Sequence, residues 1–322
     1  SWLQASTGVS TVTESDDDLL HAAQVGLGGL GIVYGVVIEA VPLYEFVGVE
    51  VKKPLYDAAV GQLMTHLDPT GFGASPSADV LACMLFPYAK VDDGAGAVAS
   101  VYEKRPRTRP YTAPTHADPM IATDTSKLIA SMSALSSSSL GGLVGHIITT
   151  VGQAQYDRPP DFPKFPGELF GPTTLPPGNG ASTEIVFDRQ HAAQGVHEVL
   201  DILRRQATNP GRHLLGVCGV RFVGASKAHL AMNQSHGATF VEVAGLKSND
   251  VKAVQQAVWD GLRAAGIPYV CHWGQEHDMK PAEIQAYYGA GVSKWTQARQ
   301  HLLGVGERKV FLNELLMQVG LA

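Results

Sequence analysis

The 322-residue sequence predicts an α+β fold, an antiparallel sheet with helices on one face. Two observations carry that expectation. A strand, helix, strand, strand pattern is used twice, and the helices at 190–206 and 251–265 carry apolar residues at helical spacing.

In chain order, residues 10–13 read as a strand and residues 16–24 as a helix whose acidic first turn suits the positive end of the helix dipole. A β-branched and aromatic run follows over 32–49, with 32–38 its clearest strand; Gly35 and Pro42 interrupt the run, which suits two strands with a bend between them. Pro54 opens an amphipathic helix to about 67, at a position where a missing N–H costs nothing. Strands are expected at 80–88 and 97–103. Residues 105–123 form a Pro/Arg/Thr-rich loop, Asp124 or Thr125 caps a weakly polar helical stretch toward 151, and proline-rich 157–180 is a second extended loop. The pattern then becomes regular: strand 184–187, helix 190–206, strands 214–223 and 238–243, helix 249–265.

Composition excludes several classes. With 45% apolar and 17% charged residues the chain is ordinary globular material, long enough for one large or two medium domains. A net charge of −6, with no Lys/Arg run beyond a pair, lacks the footprint of a nucleic-acid binder. The charge-free stretch 22–38 contains Gln24 and five glycines and is too short to cross a bilayer, so no membrane role is expected. Cys83, Cys218 and Cys271 are too far apart for a C-x-x-C pair and read as buried thiols. The first residue, Ser1, precedes a strand almost at once, so the polypeptide is expected to begin elsewhere.

Gly26-Leu27-Gly28-Gly29-Leu30-Gly31 matches G-x-G-x-x-G, yet a dinucleotide-binding turn would follow a strand and open a helix. Its reversed context leaves two readings, a tight helix-to-strand turn without a ligand and a turn that touches a cofactor.

The block Ala22-Ala23-Gln24-Val25-Gly26-Leu27-Gly28-Gly29-Leu30-Gly31-Ile32-Val33-Tyr34-Gly35, with Pro42-Leu43 beyond it, resembles the end of the FAD-binding domain in the vanillyl-alcohol-oxidase and p-cresol-methylhydroxylase superfamily. His272-Trp273-Gly274-Gln275, Trp295, Arg299 and Phe311-Leu312-Asn313 resemble the carboxy-terminal segment of the subgroup holding alditol, aldonolactone and flavin-linked cholesterol oxidases. The resemblance implies a trailing FAD-domain part at 1–46, a ferredoxin-like substrate or cap domain at 47–268, and a segment returning to an incomplete FAD domain at 269–322. It implies backbone contacts to FAD from Gly28, Gly29, Gly31, Ile32 and Val33, and an Asn313 element facing the flavin ring. It also implies oxidation of a small-molecule alcohol, with hydride passing to the flavin and dioxygen as acceptor.

The family's E-x-R strand motif is Gly219-Val220-Arg221 here, so Arg221 is retained and the Glu is lost. Arg221 is expected near substrate and flavin, and Arg221→Leu is expected to leave folding intact because the strand is apolar. Glu242 either replaces the lost carboxylate or pairs with Arg221; His272 either contacts flavin or substrate, or packs as a core residue beside Trp273. Gln275 stands where the family has Lys, which puts polyol or sterol specificity in doubt. His272, His277 and Asp278 lack the H-E-x-x-H spacing, and no metal is expected. The resemblance implies that the leading half of the FAD domain lies outside this sequence. Two readings follow: a flavoenzyme chain whose FAD cradle comes from an N-terminal FAD-binding polypeptide, or a non-catalytic binding or structural protein that has lost the flavin. The first reading expects the chain alone to bind FAD weakly, and it is compatible with a homo-oligomer.

Overall fold

The computed structural model describes residues 14–53, 80–89, 97–112, 143–147, 149–150, 163–169, 180–209, 212–214, 216, 218–234, 237–246 and 249–322. The strand expected at 10–13, the helix at 54–67 and most of the helix toward 151 lie outside them. The chain divides into two compact units, one of residues 1–36, 226–235 and 279–322, the other of residues 37–225 and 236–278.

The larger unit is built on β1 (Tyr44–Lys53), β2 (Val80–Leu85), β3 (Ala97–Pro106), β4 (Gly180–Asp188), β5 (Cys218–Val223), β6 (Ala238–Leu246) and the short β7 (Val270–Cys271). All pairings are antiparallel, in the order β1-β3-β2-β5-β6-β4-β7. Each strand triplet places its third strand between the first and second. The two triplets meet at β2 and β5, where Ala82 pairs with Arg221. The repeat legible in the sequence is therefore a pair of two-fold-related halves of one sheet.

A short α2 (Pro166–Leu169) lies by β1, beside the Phe46 to Lys164 bridge. Two long helices, α3 (Ala192–Ala207) and α4 (Asn249–Ala264), pack on one face of the second half. Val196, Val199, Leu200 and Leu203 recur at helical spacing on α3, and Val251, Val254, Val258 and Leu262 on α4; all are at most 1% exposed. Each such burial contributes about 1.5–3 kcal/mol. On β4 the residues of one parity meet these helices: Phe187 lies against Gly195, and the Thr183 hydroxyl accepts from Trp259 Nε1 at 3.2 Å. The period of two then sends Ser182, Glu184 and Val186 to the opposite face.

Three expectations change. The 80–88 strand ends at Leu85, ahead of Pro87, whose ring nitrogen cannot join the ladder. The 214–223 strand is regular only from Cys218; Leu214 donates its N–H to the Tyr88 hydroxyl at 2.6 Å instead. Residues 32–38 form no strand. Ile32, Val33, Tyr34, Val36, Val37 and Ile38 are 74–101% exposed. β-propensity expresses fit to neighbouring strands, and among the described residues this run has none.

The smaller unit is helical among its described residues: α1 (Asp17–Ala23), α5 (Pro281–Tyr288), α6 (Ala290–Leu302), α7 (Val305–Val310) and α8 (Glu314–Gln318). Asp16 caps α1 by accepting from Asp18 N–H at 2.8 Å and Leu19 N–H at 3.4 Å. Pro281 starts α5, where Glu283 accepts the Lys280 N–H at 2.7 Å. Ala22, Leu230, Ile284, Trp295 and Leu316 fill the core.

Candidate functional site

On the sheet face opposite α3 and α4, strand register gathers polar groups from three neighbouring strands. Glu184 of β4 lies opposite Glu242 of β6, Glu242 lies opposite Gly219 of β5, and Arg221 lies opposite Phe240. Paired residues share a face, so Ser182, Glu184, Glu242, Gly219 and Arg221 point the same way.

Arg221 grips Glu184 through two parallel bonds, Nε to Oε1 at 2.8 Å and Nη2 to Oε2 at 2.6 Å. This is the bidentate fork that a guanidinium makes with a carboxylate. The Glu184 side chain is 2% exposed, whereas that of Arg221 is 53% exposed and lies over the Phe240 ring, 5.2 Å from its centroid. The pairing of Arg221 with Glu242 is thus corrected: the partner is Glu184, one strand farther out, because a long Arg side chain reaches across β6. The expectation that Leu at 221 leaves folding intact falls with it, since Leu would strand a buried carboxylate.

Glu242 makes a different contact. Its Oε1 lies 3.0 Å from Ser182 Oγ, which is also 3.0 Å from Gln275 Oε1. One hydroxyl carries one hydrogen, so Ser182 donates to Glu242, and the Gln275 carboxamide satisfies the other contact with its NH2 turned toward Ser182. The second Glu242 oxygen faces Gly219, where a Cβ would come into ordinary contact at 3.6 Å from Oε2 and 3.8 Å from Met84 Sδ.

His272 continues the edge beyond β7, its N–H donating to the Glu184 carbonyl at 2.8 Å. Its Nδ1 accepts from Gly274 N–H at 3.1 Å, which leaves Nε2 to carry the proton of a neutral ring. The ring is half-buried rather than a core residue, and Trp273 meets His277 edge-on instead, with centroids 6.1 Å apart. Sequence reasoning passed over Ser182 and Glu184. The signal was partial: Glu184 is a charged residue at the head of the apolar run Ile185-Val186-Phe187, the same reasoning that singled out Arg221, with Ser182 two residues before it on the same face.

In the smaller unit the glycine turn is held by the carboxy-terminal residues named with it. Leu27, Gly28 and Gly31 have φ of 51°, 71° and 115°, the left-handed region. Three side chains donate to carbonyls of the turn: Trp295 Nε1 to Val25 O at 3.0 Å, Asn313 Nδ2 to Leu27 O at 2.9 Å, and Arg299 Nε to Gly29 O at 3.0 Å. Gly29 packs so closely that a Cβ would lie 2.8 Å from Leu316 Cδ1 and 2.9 Å from Trp295 Cη2. Asn313 also caps α8, its Oδ1 accepting Leu316 N–H at 2.9 Å, so both ends of its amide brace the turn. Arg299 is 5% exposed and bonds three carbonyls, of Gly29, Leu321 and Arg308; burial, then the nearby Arg308 charge, lowers its pKa. On the far side a Cβ at Gly31 would meet nothing within 4 Å. The N–H groups of Gly31, Ile32 and Val33 find no acceptor among the described residues. Backbone N–H groups beside a glycine turn suit an anionic or nucleotide ligand, the kind of contact expected of these residues.

No family model matches the chain, and no curated protein matches it in sequence. Its fold is similar to that of a solvent-stable cholesterol oxidase, with a TM-score of 0.55 and 12% identity, over 87% of this chain and 60% of that one. It is similar at the same TM-score and identity to a cholesterol oxidase variant from Brevibacterium sterolicum, over 86% of this chain and 60% of that one. The chain thus spans 60% of the length of these structures.

Proposed function

We propose that this chain is the substrate-binding and trailing FAD-domain portion of an FAD-dependent oxidoreductase that oxidises an alcohol, with dioxygen as the electron acceptor. The observation that carries the reading is the Arg221, Glu184 and Glu242 group: a half-exposed cation held rigidly by a buried carboxylate, beside a second carboxylate with one oxygen uncommitted. The fold likeness to cholesterol oxidases supports it. In this proposal residues 1–46 and 269–322 belong with an FAD domain completed by an N-terminal polypeptide, and residues 47–268 serve the substrate.

A guanidinium has five N–H donors, of which Glu184 takes two and three remain. Those three orient the carbinol oxygen and stabilise negative charge developing on it. Glu242 accepts the hydroxyl proton through its second oxygen, while Ser182 and Gln275 hold its first oxygen in place. The Nε2–H of His272 is a further donor for the substrate. The backbone of Gly28, Gly29, Gly31, Ile32 and Val33 would hold FAD, with Asn313 bracing the turn. Bound FAD supplies the hydride acceptor that no side chain can provide.

The test is anaerobic addition of primary, secondary and sterol alcohols to the FAD-loaded complete protein. Bleaching of the visible flavin band, with peroxide formed when air is admitted, is the expected result. A loaded flavin that no alcohol reduces would favour a non-catalytic protein and overturn the proposal.

A further inference from the structure

One cluster in the smaller unit has no part in alcohol oxidation. Asp18 and His21 stand one turn apart on α1, and His229 comes from the 226–235 segment, whose His229 N–H donates to the His21 carbonyl at 3.1 Å. One donor atom from each of the three lies within 4.8 Å of the other two. His229 is 7% exposed, and its buried Nε2 faces the Asp18 carboxylate. The segment that carries it is braced: Gln234 Nε2 donates to the His229 carbonyl at 2.6 Å, and the Tyr287 hydroxyl to the Met232 carbonyl at 2.8 Å.

We propose that Asp18, His21 and His229 bind one divalent transition-metal ion of the zinc type, which ties α1 to the 226–235 segment. Two imidazoles and a carboxylate are a donor set such ions favour, with a fourth position left for water. Bonds of about 2.0–2.1 Å in a tetrahedron set ligand atoms about 3.3 Å apart. His229 Nε2 and Asp18 Oδ1 already stand 3.3 Å apart. The remaining separations shorten by rotamer adjustment of Asp18 and His21, which are not fully buried. The His21 ring meets that of His229 edge-on, with centroids 5.7 Å apart.

Lys294 Nζ lies 3.1 Å from the same Asp18 Oδ1, on a side chain 49% exposed. It occupies the cation position loosely, and an arriving metal ion displaces it into solvent.

The test is calorimetric titration of Zn2+ into the chelator-treated full chain. One equivalent binds with a dissociation constant at or below about 10 μM, and His21→Gln and His229→Gln each weaken it by about tenfold or more. Lys294→Met tightens it, because a competing cation is removed. Should His229→Gln fail to fold, the opposite signs at positions 21 and 294 decide alone. Absence of saturable one-equivalent binding, unchanged affinity in His21→Gln, or weaker binding in Lys294→Met would overturn the assignment.

Discussion

Replacing Arg221 with Leu tests whether the fork to Glu184 is part of the fold as well as of the proposed site. Removing one partner of a fully buried pair costs about 3–5 kcal/mol, because the other charge is left unsolvated. Glu184 meets that condition at 1% exposure, but the Arg221 side chain is half in water, so solvent enters the space it vacates. Discounting for that screening leaves about 1–3 kcal/mol. The assay is urea unfolding followed by tryptophan fluorescence, since Trp259 packs on β4 through Thr183, next to Glu184. Arg221→Leu lowers the midpoint, and the double variant Glu184→Leu with Arg221→Leu recovers most of the loss, because an apolar pair strands no charge. A single variant as stable as the parent, or a double variant showing the plain sum of two losses, would refute the reasoning.

Three further outcomes follow from other parts of the molecule. Gly29→Ala destabilises the smaller unit by about 1–3 kcal/mol, read by thermal unfolding, because the new methyl meets Leu316 and Trp295 in the core. Burial pushes the Cys83 and Cys218 thiols up to about 12, so a thiol reagent at pH 8 labels neither until the chain unfolds. Burial lowers the His213 pKa below 6.5. The unfolded chain therefore takes up the extra proton as pH falls from about 6.5 toward that lowered value, and stability drops across this window while staying flat above it. Urea midpoints between pH 8 and pH 5 check this, and His213→Gln reduces the slope.

Much of the larger unit was legible because its residues state their periods plainly. The stripe of Val196, Val199, Leu200 and Leu203 has the period of a helix, and the β-branched runs at 184–187 and 238–243 have the composition of strands. The arrangement of the halves was not legible, since the same elements satisfy several strand orders and only pairing across β2 and β5 selects one. Residues 32–38 show the converse. Their composition asks for a strand, but strand formation needs a neighbour, and composition cannot say whether one is within reach. At the candidate site, reading one strand at a time brought out Arg221 and Glu242 and missed Glu184, because the partner is chosen by side-chain reach across β6. The match between Trp295, Arg299, Asn313 and the glycine turn, more than 260 residues away, became a physical statement only once three donors were seen on three carbonyls.

The central claim is that Arg221 serves a flavin-linked alcohol oxidation, and its most direct test is the rate of flavin reduction. In stopped-flow mixing of alcohol with the anaerobic, FAD-loaded complete enzyme, normalised to bound flavin, Arg221→Leu slows reduction by roughly tenfold to a thousandfold. Arg221→Lys recovers only part of that, since an ammonium cannot hold Glu184 bidentately and still offer a donor in the same direction. Reduction at the parent rate in the Leu variant, with flavin still bound, would contradict the account and leave Arg221 as the structural counter-ion of Glu184.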